Sequence, residues 1–105
     1  MVKQIVFWKL RESAEGQSAE QNARGMKSRL EALNGRIPGL VKLEVGIDFS
    51  RSVASADVAL YSEFADRAAL AAYQTHPVHV PVPAFVALVR SAPRPVRYAA
   101  SVRGV

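Results

Sequence analysis

The sequence predicts an α+β sandwich with an antiparallel sheet, built in the order β-α-β-β-α-β. Three observations carry this. Val2–Leu10 is β-branched and aromatic, and apolar on both faces at its middle. A capping box then opens a one-faced amphipathic helix. Alternating strands follow, interrupted by a second, alanine-rich helix.

In Val2–Leu10, one face carries Val2, Gln4, Val6, Trp8 and Leu10 and the other Lys3, Ile5, Phe7 and Lys9. A strand covered on one side alternates apolar and polar residues. Two apolar faces predict two covers: the chain's own helices, and something else. Arg11 to Gln17 reads as a polar connector. Ser18-Ala19-Glu20-Gln21 matches a capping box, with glutamine three residues after serine. Ala19, Ala23, Met26, Leu30 and Leu33 then step by four and three along one face, and Gly35 is placed to end the helix. At that spacing Met26 and Leu30 are core positions, with a ligand pocket as the alternative. Gly25, in mid-helix, costs about 1 kcal/mol against alanine and predicts close approach of a strand.

Ile37-Pro38-Gly39 is a turn. Leu40 to Ile47 is a second strand, with Val41, Leu43, Val45 and Ile47 on one face. Asp48 to Ala56 is a polar loop, long for a hairpin and expected to be mobile. Asp57 to Phe64 is a third strand. Asp66 is an N-cap for a helix ending near Thr75 or His76, because the residue before Pro77 is driven out of helical geometry. A further helical segment starts at Pro77 or after Pro81 and Pro83, with Val82, Phe85, Val86 and Val89 on one stripe. The last strand is read as Pro95 to Val102. This order is the split βαβ of a ferredoxin-like sandwich. The leftover apolar face, assigned to Val6 and Trp8, predicts a homodimer whose two sheets close a barrel between subunits.

Composition narrows the function. The 105 residues make one domain, burying about 65% of the unfolded surface. There is no cysteine, which excludes disulfides and thiol chemistry and fits a reducing, cytoplasmic setting. The run Ile5–Trp8 is too short for a signal sequence, and no stretch approaches about 20 apolar residues, so the expectation is a soluble protein with no membrane partner. Net charge is +5, and no acidic residue follows Asp66. The arginines there, Arg67, Arg90, Arg94, Arg97 and Arg103, stand singly. They read as a solvated rim, with nucleic acid or another anion as the less favoured partner.

Both histidines fall in Tyr73-Gln74-Thr75-His76-Pro77-Val78-His79-Val80. This stretch puts an imidazole and a phenol beside a break in the chain, where together they can bind or polarise a carbonyl. The plainer reading makes His76 a helix cap and His79 a half-buried side chain. No metal-ligand spacing, carboxylate pair, nucleophile with a base, or phosphate loop is present, and no cofactor is expected. Glu63 reads as the partner of Arg67 in a surface ion pair.

The opening VKQIVFWKL, the central IPGLVKLEVG, and ALYSEF followed by AYQTHPVHV resemble, in that order and spacing, the stress-responsive A/B barrel (Dabb) family of dimeric α+β barrels. The resemblance runs from Val2 to about Tyr98. It implies a ferredoxin-like subunit and a barrel closed by a dimer. It also implies varied functions, including a plant branch that cyclises polyketides without metal or organic cofactor. In that branch a tyrosine and a histidine do acid–base work; by position they are Tyr73 and His79. Where the branch has a first-strand histidine this chain has Gln4, and where it has a helix tyrosine this chain has Leu30.

The favoured expectation is a small dimeric protein binding an apolar or carbonyl ligand between helix and sheet, through Gln4, Val6, Trp8, Leu30, His76 and Phe85. The alternative is a cofactor-independent enzyme, cyclase-like or monooxygenase-like, with His79 as general base and Tyr73 orienting it or polarising the carbonyl.

Overall fold

The structure, a computed structural model, describes residues 1–100. Its elements are β1 (Val2–Leu10), β2 (Ser13–Ala14), β3 (Gln17–Ser18), α1 (Ala19–Glu31), β4 (Leu40–Ile47), β5 (Val58–Phe64), α2 (Arg67–Thr75), α3 (Pro81–Val89) and β6 (Arg90–Ala99). The main sheet is antiparallel in the order β4-β5-β1-β6. With the small β2-β3 hairpin set aside, this is the ferredoxin-like arrangement.

Local chemistry sets the helix ends. The Gln21 N–H donates to Ser18 Oγ at 3.2 Å, and the Ser18 N–H to Gln21 Oε1 at 3.0 Å, completing the capping box of α1. Asp66 caps α2 by accepting from the Ala69 N–H at 2.8 Å. Pro81 opens α3, where a missing N–H costs nothing. The polar connector between β1 and α1 folds into the β2-β3 hairpin. Glu15 and Gly16 both take positive φ there, as a two-residue turn of the I′ kind requires.

One sheet face packs on the three helices. Its core includes Val6 and Trp8 of β1, Leu43 and Val45 of β4, Leu60 and Phe64 of β5, and Met26, Leu30, Tyr73 and Val86 from the helices. This corrects the assignment of Val6 and Trp8 to the leftover face. They are buried under the protein's own helices, and Ile5 and Phe7 point the other way. Register places Ile5 beside Tyr61 and Val96, and Lys3 beside Glu63 and Tyr98, on that outer face. Phe7, Val96 and Tyr98 are 44%, 54% and 43% exposed.

Other expectations shift as well. The bulge between Leu40 and Lys42 turns Val41 out to solvent. Gly25 faces a helix rather than a strand: a Cβ there would sit 3.6 Å from the Phe85 ring of α3. Glu63 is not paired with Arg67 but accepts from the Tyr61 hydroxyl at 2.5 Å. The loop 48–57 is pinned at its start, where Asp48 accepts from the Ser50 hydroxyl and the Arg51 N–H. The last strand begins at Arg90, earlier than expected; Val102 and Arg103 lie outside the described residues.

Candidate functional site

The site forms where α2 gives way to α3. Pro77, Pro81 and Pro83 remove three backbone donors within seven residues, so no single helix can continue through them. The chain instead makes a tight turn. The N–H groups of His79 and Val80 both donate to the His76 carbonyl, at 2.9 and 3.0 Å, and the Val82 N–H donates to the His79 carbonyl at 2.8 Å. His79 is therefore fixed through its backbone on both sides.

That turn lays the His79 ring on Tyr73, with centroids 4.0 Å apart and planes inclined by 33°. Tyr73 also packs against Phe64 in a T-shaped pair, with centroids 4.9 Å apart. The three rings form a contiguous cluster running from the sheet to the interhelix turn. Tyr73 and His79 also line a cavity of about 280 Å3 between sheet and helices. Gln4, Val6, Trp8 and Leu60 form its floor, Leu30, Val82 and Val86 close it from the helices, and Arg90 and Arg97 of β6 stand at its side.

Burial governs the titration of both rings. It pushes the Tyr73 phenol up to about 12. It holds the His79 imidazole below its ordinary value, reinforced by the nearby His76 and partly opposed by the Gln74 carbonyl. Nδ1 of His79 lies 3.4 Å from that carbonyl. A carbonyl can only accept, so this contact selects the tautomer with the proton on Nδ1 and leaves Nε2 with a free lone pair. The site at neutral pH is thus a neutral imidazole stacked on a neutral phenol. Among the described residues, no group hydrogen-bonds the Tyr73 hydroxyl.

A pH dependence follows. A histidine whose folded pKa is depressed binds fewer protons folded than unfolded, so stability is full above the unfolded value near 6.5 and falls as pH drops toward the folded value. Urea midpoints between pH 8 and pH 5 should decline, and His79→Gln should flatten that decline. An unchanged slope in the variant would mean that His79 is not the group responsible.

Gln4 is held at both ends of its amide. Nε2 donates to Ser62 Oγ at 3.3 Å, and Oε1 accepts from Arg97 Nε at 2.7 Å. Of the residues expected to bind ligand, Gln4, Val6, Trp8 and Leu30 line the cavity together with Tyr73 and His79. His76 and Phe85 do not. His76 is the C-cap residue of α2, and its Nδ1 accepts from the Val78 N–H at 3.1 Å. Phe85 turns away toward α1, its ring covered by the Arg29 guanidinium at 3.7 Å. Sequence reasoning missed Arg90 and Arg97 as walls, having placed them on a solvated rim. The signal available was register: a last strand pairing with β1 sets Arg97 opposite Gln4.

Roomier hollows of about 600 and 910 Å3 flank the 48–57 loop, but neither is lined by a histidine or tyrosine. Among the described residues, no group of three or more His, Cys, Asp or Glu side chains is disposed to hold a metal, and no helix is long and apolar enough to cross a membrane.

Known proteins place the fold. No curated protein matches the chain. Among solved structures, a dimeric ferredoxin-like protein of unknown function from Bacteroides fragilis is 32% identical, with a TM-score of 0.81 over 92% of this chain and 93% of that one. A dimeric ferredoxin-like protein from Thermobifida fusca is 20% identical, with a TM-score of 0.80 over 93% of this chain and 89% of its own. A Dabb family protein from Mesorhizobium loti is 22% identical, with a TM-score of 0.65 over 93% and 94% of the two chains. The pattern of the stress responsive A/B barrel domain matches residues 2–93, which is most of the sequence, and the chain therefore belongs to that family.

Proposed function

We propose that this protein is a homodimer that binds a small ligand with an apolar body and a carbonyl group in the cavity between helices and sheet. The observation that carries the binding reading is the stacked Tyr73–His79 pair at the wall of an otherwise apolar hollow. Apolar pockets with a few convergent polar groups are where small molecules bind, and about 280 Å3 sits just under the usual range of about 300–1,000 Å3, which suits a compact one- or two-ring compound. The phenol donates to the ligand's carbonyl, and the apolar walls take its body.

The dimer reading rests on the outer sheet face. Ile5, Phe7, Val96 and Tyr98 share it, and among the described residues no element of the same chain covers them. The related Bacteroides and Thermobifida proteins are dimers. A second copy of this face is the matching cover. Light scattering should give twice the chain mass at micromolar concentration, falling toward the single-chain mass for Phe7→Lys.

Binding is tested with 4-pentylacetophenone and its carbonyl-free analogue pentylbenzene. The protein's single tryptophan, Trp8, lines the cavity and reports occupancy by fluorescence. Tyr73→Phe should weaken the ketone about tenfold, the worth of one hydrogen bond near 1.4 kcal/mol, and leave pentylbenzene unchanged. Equal effects on both compounds would remove the phenol from recognition.

One observation favours a second reading, a cofactor-independent enzyme. The free Nε2 lone pair of a neutral, buried imidazole is suited to take a proton from the carbon next to a bound carbonyl while Tyr73 supports the enolate oxygen. Deuterium from solvent would then enter the methyl group of 4-pentylacetophenone, and His79→Ala would stop it. No exchange above the buffer rate would leave binding alone.

A further inference from the structure

The side of the cavity formed by β6 carries two arginines, Arg90 and Arg97, and no aspartate or glutamate lines the cavity anywhere. Neither arginine makes an ion pair among the described residues. No aspartate or glutamate follows Asp66 in the sequence.

Arg97 is also oriented rather than free. Gln4, itself buried, is fixed by Ser62 and offers its amide oxygen to Arg97 Nε at 2.7 Å. That bond uses one of the five N–H donors of the guanidinium, and Gln4 is the one acceptor the described residues give it. The two terminal nitrogens, whose planar pair matches the two oxygens of a carboxylate, have no acceptor among the described residues. Holding a guanidinium by Nε is an economical way to present its other edge to a ligand.

We propose that the ligand is an apolar carboxylic acid, or a keto acid of that kind, and that Arg97, supported by Arg90, recognises its carboxylate while the apolar walls take its body. This rests on the cavity being the binding site and adds the class of molecule that it selects. Arg97 acts as the specificity residue, Gln4 as the residue that positions it. The +5 net charge of the chain favours the approach of such an anion.

The test compares 4-pentylbenzoate with 4-pentylacetophenone, which share a body and differ in the acid group, each read through Trp8 fluorescence in low-salt buffer. The benzoate should bind about tenfold more tightly, as a charge-assisted pair worth about 1.5 kcal/mol or more implies. Arg97→Gln should cancel that preference, weakening the benzoate about tenfold more than the ketone. Arg97→Lys, which keeps the charge but not the fork, should retain part of it, and Gln4→Leu should reduce it by loosening Arg97. Equal binding of the two probes by the unaltered protein, or an Arg97→Gln variant that weakens both alike, overturns the proposal while the cavity reading stands. If neither probe perturbs Trp8, the cavity reading fails and this assignment fails with it.

Discussion

Phe64→Ala is expected to cost about 4 kcal/mol, the usual range for deleting a buried phenylalanine being about 3–5 kcal/mol. Phe64 ends β5, is fully buried, and makes a T-shaped pair with Tyr73, centroids 4.9 Å apart. Deletion would leave a void beneath the phenol and remove one aromatic pair, worth roughly 1 kcal/mol in its own right. Domains of this size are stable by about 5–15 kcal/mol, so the loss is a large share. Urea denaturation at one fixed chain concentration is the measurement, because self-association would otherwise move the midpoint. Phe64→Leu, which keeps most of the apolar bulk, should cost far less. A cost below about 1.5 kcal/mol for the alanine variant would mean that the ring stack is not a support. The consequence reaches the site, since Tyr73 packs against both Phe64 and His79 and loses one of these two aromatic contacts.

The parts of this fold legible in the sequence are those where one local rule acts alone. The capping box at Ser18–Gln21, the Asp66 cap and the break at Pro77 each depend on a few adjacent residues, and each forms where expected. Which face of β1 turns inward was not legible. Both faces are apolar, and a period of two cannot say which meets the helices. Val6 and Trp8 were placed outward for that reason, and the structure buries them. The same ambiguity hid Arg97. In β6 the apolar Val96 and Tyr98 invite an inward reading, yet they face out and Arg97 faces the cavity, because the outer face is itself an apolar surface. Pro77 marks His76 as a helix cap in the sequence, but the stacking of His79 on Tyr73 was not legible there. The turn that separates the two histidines is set by hydrogen bonds, which send His76 to the helix end and His79 onto Tyr73.

Gly39→Ala is expected to cost about 3 kcal/mol, from two causes that can be separated. Gly39 has φ of +83°, where an L-residue is strained by about 1–2 kcal/mol. A Cβ there would also lie 2.5 Å from the Ala69 Cβ of α2, so backbone must move, an overpacking cost of about 1–3 kcal/mol. In an Ala69→Gly background the clash is gone and only the backbone strain remains, so the cost of Gly39→Ala should fall to about 1.5 kcal/mol. The difference between backgrounds is the coupling energy of the pair. Equal costs in the two backgrounds would mean that the turn does not touch α2. The contact matters beyond stability. The Gly39 carbonyl accepts from the Ala65 N–H at 2.9 Å, just ahead of the Asp66 cap, so the turn and the start of α2 are fastened together. Tyr73 stands one helical turn beyond Ala69 on the same helix. A side chain at position 39 must therefore push α2 at the turn that leads into the site. Gly39→Ala should weaken cavity binding as well as stability, and Ala69→Gly should restore part of both.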